Sequence, residues 1–188
     1  GIEWNLGQLG HTFSTCSPVH AAQLADDEGN AFLRLYDYER CKNVFWHVDI
    51  HLPAGSEHLR VYVRIINDNA VSVPMYWWTN VAVEETEDAR VFSSTGEVIY
   101  IDHRIGGFGA GKLPELPTVP DTDLSYPIRF PFANEYFFQT PQKCRSPWEA
   151  IAYGDGRLVY ERSTSLLRYR KMFCWGSHAG GRRWCDFL

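Results

Sequence analysis

Alternation of apolar and polar residues over residues 44–66 is the feature that most constrains the fold of this chain. Successive side chains of an extended strand point to opposite faces, so this pattern predicts strands with one buried and one solvated face. The apolar positions are Val44, Trp46, Val48, Ile50, Leu52, Leu59, Val61, Val63 and Ile65. The positions on the opposite, solvated face are Phe45, His47, Asp49, His51, Arg60, Tyr62 and Arg64. A P-A-G-S turn at 53–56 joins the two runs, which predicts an antiparallel meander.

The rest of the chain extends the same pattern. Residues 31–39 also alternate, turns rich in Gly, Asp and Asn separate the runs, and no long stretch has a period of 3.6. Aromatic residues make up 15% of the chain, which favours strands. We therefore expect an all-β protein, an antiparallel β-sandwich of roughly ten strands that forms one domain over residues 1–188.

Charge and composition exclude several classes of function. The net charge is −5 and the basic residues form only short clusters, which argues against a nucleic-acid partner. No apolar run approaches the ~18 residues of a membrane span, and no signal peptide is visible. The five cysteines are odd in number and include no C-x-x-C pair, so we expect reduced thiols and a cytoplasmic location. One or two disulfides are the alternative, and the first residue, Gly1, allows for a processed or excised chain.

The stretch at 106–126 is rich in Gly and Pro and is expected to form a long loop. Gly106, Gly111 and Lys112 approach a phosphate-binding loop, but Leu113 and Pro114 follow where Ser or Thr and a helix are required. We therefore assign it no nucleotide role. Residues 128–139 are expected to form two short strands or an irregular aromatic segment, and G-D-G at 154–156 predicts a hairpin turn.

Residues 73–85, V-P-M-Y-W-W-T-N-V-A-V-E-E, are the candidate ligand-binding stretch. As a strand, it would bury one face and present another that combines aromatic rings with hydrogen-bonding groups. The first face holds Met75, Trp77, Thr79, Val81 and Val83, and the second holds Tyr76, Trp78, Asn80, Ala82 and Glu84. A sugar ring has apolar C–H patches and polar hydroxyls, so the second face predicts a carbohydrate ligand. The alternative is that these aromatic residues only pack in the core or at its rim.

The sequence offers fewer candidate catalytic residues than candidate binding residues. Glu84, on the same predicted face, and His11, on a glycine-rich loop, are the proton-transfer candidates. A second binding segment near the C-terminus, with Trp175, His178, Arg183 and Trp184, is expected to form a rim, or else a loop held by its tryptophans. His47, Asp49 and His51 share a strand face, but His47 and His51 would be ~13 Å apart, so we predict no metal and no cofactor.

These segments resemble a known family. The chain is similar to an uncharacterised bacterial domain that is often fused to tetratricopeptide repeats and is related to the galactose mutarotase-like sandwiches. The resemblance rests on three segments: G-I-E-W-N with G-H-T-F-S-T-C-S-P-V, the central P-M-Y-W-W-T-N-V-A-V-E, and M-F-C-W-G-S-H-A-G-G-R-R-W. It implies a large antiparallel supersandwich and a carbohydrate-type ligand in a groove on one sheet, without a settled activity.

Two departures from that pattern matter. Galactose mutarotases have a His just before the aromatic pair of the similar strand, where this chain has Pro74 and Met75, so simple mutarotation is not expected. The similar family continues with a further strand and an acidic residue, whereas this chain stops at Leu188. The resemblance therefore implies a fragment of the full sandwich, and a truncated sheet leaves an edge that favours pairing with another copy of the chain.

Three functional hypotheses follow. The first is a carbohydrate-active domain, glycoside-hydrolase-like or epimerase-like, which would place two titratable groups around a sugar. The second is a non-catalytic module that binds a sugar or a protein, which would place only aromatic and amide groups there. The third is a sandwich with no ligand.

Overall fold

The computed structural model describes residues 2–6, 16–102 and 104–174. The chain divides into two compact units, Gly1–Ala82 and Val83–Leu188. In the described residues all regular structure is β-strand apart from two short 3-10 turns, Pro127–Arg129 and Ser165–Leu167. Those residues contain no helix that is long and apolar enough to cross a membrane. The predicted all-β class is confirmed.

The first unit contains six strands in two sheets. The strands are β1 (Ile2–Asn5), β2 (His20–Ala25), β3 (Ala31–Glu39), β4 (Val44–His51), β5 (Arg60–Ile66) and β6 (Trp78–Val81). Strands β2 to β5 form an antiparallel meander in sequence order, and β1 pairs with β6. Strands β3 to β5 are those that the alternation predicts, and β2 was not predicted. Its apolar face is fully buried at Val44 and Val48 but remains well exposed at Leu33 and Val61.

The second unit contains seven strands. They are β7 (Arg90–Ser93), β8 (Glu97–Asp102), β9 (Gly107–Lys112), β10 (Asn134–Phe138), β11 (Trp148–Ala152), β12 (Leu158–Arg162) and β13 (Arg170–Cys174). They form two antiparallel sheets, ordered β13-β10-β8-β9 and β12-β11-β7.

One hydrophobic core joins the two sheets of the second unit. It contains Tyr100 and Tyr136 from the first sheet and Val91 and Ile151 from the second. Side chains from two facing antiparallel sheets define a β-sandwich, so the predicted architecture is confirmed in this unit.

The predicted loop at 106–126 is wrong in its first part, because Gly107–Lys112 forms β9 against β8. The glycines fit the strand because the Tyr100 ring lies directly over it. A Cβ on Gly109 would lie 2.6 Å from Tyr100 Cζ, which a side chain cannot occupy. Glycine here allows close approach of a core aromatic residue instead of a loop.

The G-D-G turn is confirmed as a hairpin between β11 and β12. The backbone N–H of Tyr153 donates to the carbonyl of Arg157 over 3.0 Å, and Gly156 has a φ of +91°, a conformation that favours glycine. The 128–139 stretch forms a 3-10 turn, Pro127–Arg129, followed by β10.

Candidate functional site

The solvated side of sheet β2–β5 forms a continuous surface, which we call the polar face. Register brings its side chains into rows across the strands: Tyr36 pairs with His47 and His47 with Arg64, while Arg34 pairs with Asp49 and Asp49 with Tyr62. The members of the face that concern us are His20, Phe32, Arg34, Tyr36, Phe45, His47, Asp49, His51, Arg60, Tyr62 and Arg64. It combines guanidinium, imidazole, carboxylate and aromatic groups.

Arg34 and Asp49 form a two-pronged ion pair at the centre of this face. Arg34 Nε donates to Asp49 Oδ1 and Arg34 Nη2 to Asp49 Oδ2, both over 2.6 Å. This geometry favours the charged forms, so the pKa of Asp49 is lowered and that of Arg34 is raised, in each case chiefly by their mutual hydrogen bonds. Asp49 is therefore a fixed carboxylate with both oxygens engaged.

Aromatic rings surround this pair. The Phe32 ring stacks on His51 with centroids 4.4 Å apart, and His51 meets the edge of Tyr62 at 5.4 Å. His20 stacks on Tyr36 at 5.3 Å. Tyr62 and Tyr36 nevertheless remain 59% and 42% exposed, so both tyrosines present ring surface to a ligand.

Two open hollows of about 390 and 540 Å³ lie on the polar face. Arg34 and His47 line both, so the hollows adjoin. The first is lined mainly by apolar and aromatic groups, including Tyr36 and Phe45. The charged groups that line the second are three aspartates and two arginines: Asp26, Asp27, Asp49, Arg34 and Arg64.

Burial and charges of both signs act on His47. The pKa of His47 is lowered, first by burial and then by the positive charges of Arg34 and Arg64, against the opposing effect of Asp49. His47 is therefore neutral at neutral pH and offers one donor and one acceptor nitrogen.

The predicted ligand-binding strand is shorter than the sequence indicates. Only Trp78–Val81 is strand, because pairing with β1 spans four residues and Pro74 has no N–H to donate. Its expected apolar face is buried only in part, since Met75 and Val81 are exposed while Val83 packs against the hydrophobic core. Trp77 packs near Trp46, with ring centroids 6.1 Å apart.

The three predicted binding residues of this stretch, Tyr76, Trp78 and Asn80, do not all lie on the strand. Trp78 and Asn80 share a side of β6, while Tyr76 precedes the strand and is 53% exposed. The Asn80 amide donates to Glu3 Oε2 on β1 over 3.2 Å. None of the three lines the hollows of the polar face.

Glu84 does not share a strand face with these residues, because β6 ends at Val81 and Glu84 belongs to the second unit. Its carboxylate forms an ion pair with Arg157 Nη1 at 3.2 Å, with both side chains more than half exposed. Its backbone carbonyl accepts a hydrogen bond from the Tyr153 hydroxyl over 2.9 Å. The structure thus gives this carboxylate a surface environment.

His11, Trp175, His178, Arg183 and Trp184 lie outside the described residues. Within the described ranges, no group of three or more His, Cys, Asp or Glu side chains could hold a metal ion. His47, Asp49 and His51 share a strand face as expected, but Asp49 is bonded to Arg34.

The second unit contains buried polar groups that sequence reasoning missed. Glu149 on β11 is largely buried, and its Oε1 has no hydrogen-bond partner among the described residues. Burial, above all, raises its pKa to about 8, with Arg170 opposing and Glu161 adding to the shift. Glu149 sits opposite Glu161 in the strand register, a juxtaposition that no local motif signals.

The polar face could have been found from the sequence. All its named residues except His20 are positions facing away in the 31–66 alternation, of which only His47, Asp49 and His51 are considered above, as metal ligands. The missing information was the register, which aligns Arg34 with Asp49 and His47 with Arg64.

The geometry thus defines an antiparallel β-protein in which one face of a sheet carries polar and aromatic side chains. The chain belongs to the DUF5107 family, described as a domain of unknown function, whose model matches residues 1–112. That range includes the whole polar face. No curated protein and no solved structure matches the chain significantly.

Proposed function

We propose that the first unit binds a carbohydrate on the polar face. The observation that supports this most is the placement of exposed tyrosine rings beside fixed hydrogen-bonding groups. Tyr62 is opposite Asp49 in the strand register, and Tyr36 lies opposite His47, two positions after Arg34 on the same side of β3. Such rings suit the C–H face of a sugar, while Asp49, His47 and the arginines suit its hydroxyls.

The chemistry of the face favours binding over catalysis. General acid–base catalysis requires a group whose pKa lies near the working pH and which is able to exchange a proton. Asp49 is held ionised by Arg34, so it is a poor proton donor or acceptor. The proposal is therefore a carbohydrate-binding module, and the glycoside-hydrolase-like or epimerase-like reading with Glu84 and His11 is the less favoured form of it.

The broader setting is also proposed. We propose a relationship to galactose mutarotase-like sandwiches and an association with tetratricopeptide repeats. We also propose that copies of the chain pair through a sheet edge, because β2 and β5 occupy the outer positions of their sheet. A cytoplasmic location is proposed because Cys16, Cys41, Cys144 and Cys174 are free.

The test is a thermal-shift screen against neutral and acidic mono- and oligosaccharides, followed by calorimetry of any hit. A ligand that binds only the folded chain stabilises it by about 2.7 kcal/mol at a hundredfold excess over Kd. Tyr62→Ala should weaken binding about tenfold or more, because it removes a stacking surface.

Tyr169→Ala is the matched control. Tyr169 lies in the second unit and is 69% exposed, so its loss removes an exposed tyrosine without touching the polar face. Equal effects of the two substitutions, or a cooperative melt that no saccharide shifts, would refute the proposed function.

A further inference from the structure

Strand β5, Arg60–Ile66, is the longest outer strand of any sheet in the described part of the chain. It pairs with β4 over its whole length without a bulge, and six of its seven residues are exposed. Its other edge makes no backbone hydrogen bond to any residue that the structure describes. A row of N–H and C=O groups on that edge is therefore open to a further strand.

The sequence of β5 does little to block such pairing. The strand reads R-V-Y-V-R-I-I, with no Pro or Gly and with β-branched side chains that favour strands. Val61, Val63 and Ile66 remain exposed. The other outer strand of the same sheet, β2, reads H-A-A-Q-L-A and offers mainly alanine, which is depleted in strands. Of the two edges, β5 is the one suited to a partner strand.

From these features we propose that β5 pairs antiparallel with β5 of a second copy of the chain, centred on Val63. This inference deepens the pairing through a sheet edge proposed above and does not depend on the carbohydrate ligand. Val63 is the middle residue of β5, so this register uses all seven residues of both strands. The opposed pairs are Val63 with Val63, Tyr62 with Arg64, Val61 with Ile65, and Arg60 with Ile66.

Charge selects this register over its neighbours. A shift by one residue would put polar side chains of one copy beside apolar ones of the other. A shift by two residues would place Arg60 opposite Arg64 in one direction and Arg64 opposite itself in the other, and like charges directly opposite are destabilising. Centred on Val63, each Arg64 lies opposite a Tyr62 ring, which attracts a cation. The two Arg64 residues are then only diagonal neighbours, about 7–8 Å apart.

Symmetry gives the pairing a definite end and a consequence for the polar face. A two-fold axis perpendicular to the sheet makes the contact between identical edges, so it closes at two copies. The same axis keeps the polar faces of both copies on one side of the joined sheet. The apolar side of β5, with Val61 and Val63, continues into its counterpart on the other side.

The experiment is sedimentation velocity of the full chain over a range of concentrations, where we expect a monomer–dimer equilibrium. Val63→Lys places two ammonium groups opposite each other and should raise the dimer Kd about tenfold or more. Val63→Glu should do the same. An equimolar mixture of the two variants should regain the dimer, because Lys then faces Glu.

The control is Val159→Lys, the same change on β12, an outer strand of the second unit. Val159 is 40% exposed and Val63 39%, so the two substitutions are matched in exposure. The control should leave the dimer Kd unchanged. Circular dichroism and melting curves establish that each variant is folded.

Each outcome bears on a separate part of the inference. A chain that stays monomeric at every concentration would overturn it, and so would a dimer that Val63→Lys and Val159→Lys weaken equally. Folded Val63→Lys and Val63→Glu variants that do not associate when mixed would overturn the register centred on Val63. None of these measurements uses a saccharide, so their failure leaves carbohydrate binding intact, and a failed saccharide screen leaves the β5 pairing intact.

Discussion

Arg34 and Asp49 face each other across β3 and β4 and are joined by two hydrogen bonds of 2.6 Å. The Asp49 side chain is 13% exposed and that of Arg34 31%, so water screens the pair only in part. The pair fixes the centre of the polar face, since neither side chain is free to rotate without losing both bonds.

This relationship predicts an energetic coupling. In a double-mutant cycle of Arg34→Gln and Asp49→Asn, we expect a coupling free energy of about 1 kcal/mol, at the upper end for surface pairs because the geometry is bidentate. Urea unfolding measures it. A coupling of zero within error would mean that the pair does not order the face.

The close contact between Gly109 and Tyr100 predicts a second effect. Gly109→Ala should destabilise the second unit by about 1–3 kcal/mol, because the new methyl group overlaps the Tyr100 ring. Gly107→Ala, on the same strand, is the control, since its Cβ would meet nothing closer than 4.0 Å. Thermal or urea unfolding compares them, and equal losses would contradict the packing of Tyr100 on β9.

Glu149 predicts a pH dependence of stability. Its pKa is raised from the model-peptide value of 4.5 to about 8 in the folded chain, so between these pH values the folded state binds more protons than the unfolded state. Stability therefore falls as the pH rises through this window. Glu149→Gln, which cannot ionise, should be more stable than the wild type at pH 8 by a few kcal/mol at most, with a smaller difference near pH 5.

Glu97→Gln is the control for this titration, because Glu97 is an exposed carboxylate on β8 whose ion-pair partner, Lys112, is also exposed. Loss of this exposed ion pair should change the free energy of unfolding by less than about 1 kcal/mol. A Glu149→Gln difference that is independent of pH would show that Glu149 titrates normally.

The surface pair of Glu84 and Arg157 predicts little effect on folding. With both side chains more than half exposed, Glu84→Gln should change the free energy of unfolding by less than about 0.5 kcal/mol. The same variant tests the candidate catalytic role without a folding artefact. A large loss of stability would contradict the exposed placement of Glu84.

The sequence predicts strands well where alternation is long. Strands β3 to β5 follow from the period of two over residues 31–66, and the hairpin at 154–156 follows from its glycines. Both depend on contacts near in sequence, so local patterns suffice.

Features that depend on pairing partners and cross-strand contacts could not be predicted. The length of β6 is set by its pairing with β1, more than seventy positions away. The strand β9 pairs with β8, its neighbour in sequence, but its glycines favour a loop until the Tyr100 ring for which they leave room is known. The polar face needed the register of three strand pairs before its groups could be placed together. The proposed carbohydrate site is therefore on this face and not on the aromatic stretch at 73–85.

The most direct test of that placement is a backbone amide NMR titration of the chain with the saccharide that binds most tightly in the screen. We predict that the largest chemical-shift changes map to Arg34, His47, Asp49, Tyr62 and Arg64 on β3, β4 and β5. Changes concentrated instead at Tyr76, Trp78 and Asn80, or in the second unit, would contradict binding on the polar face.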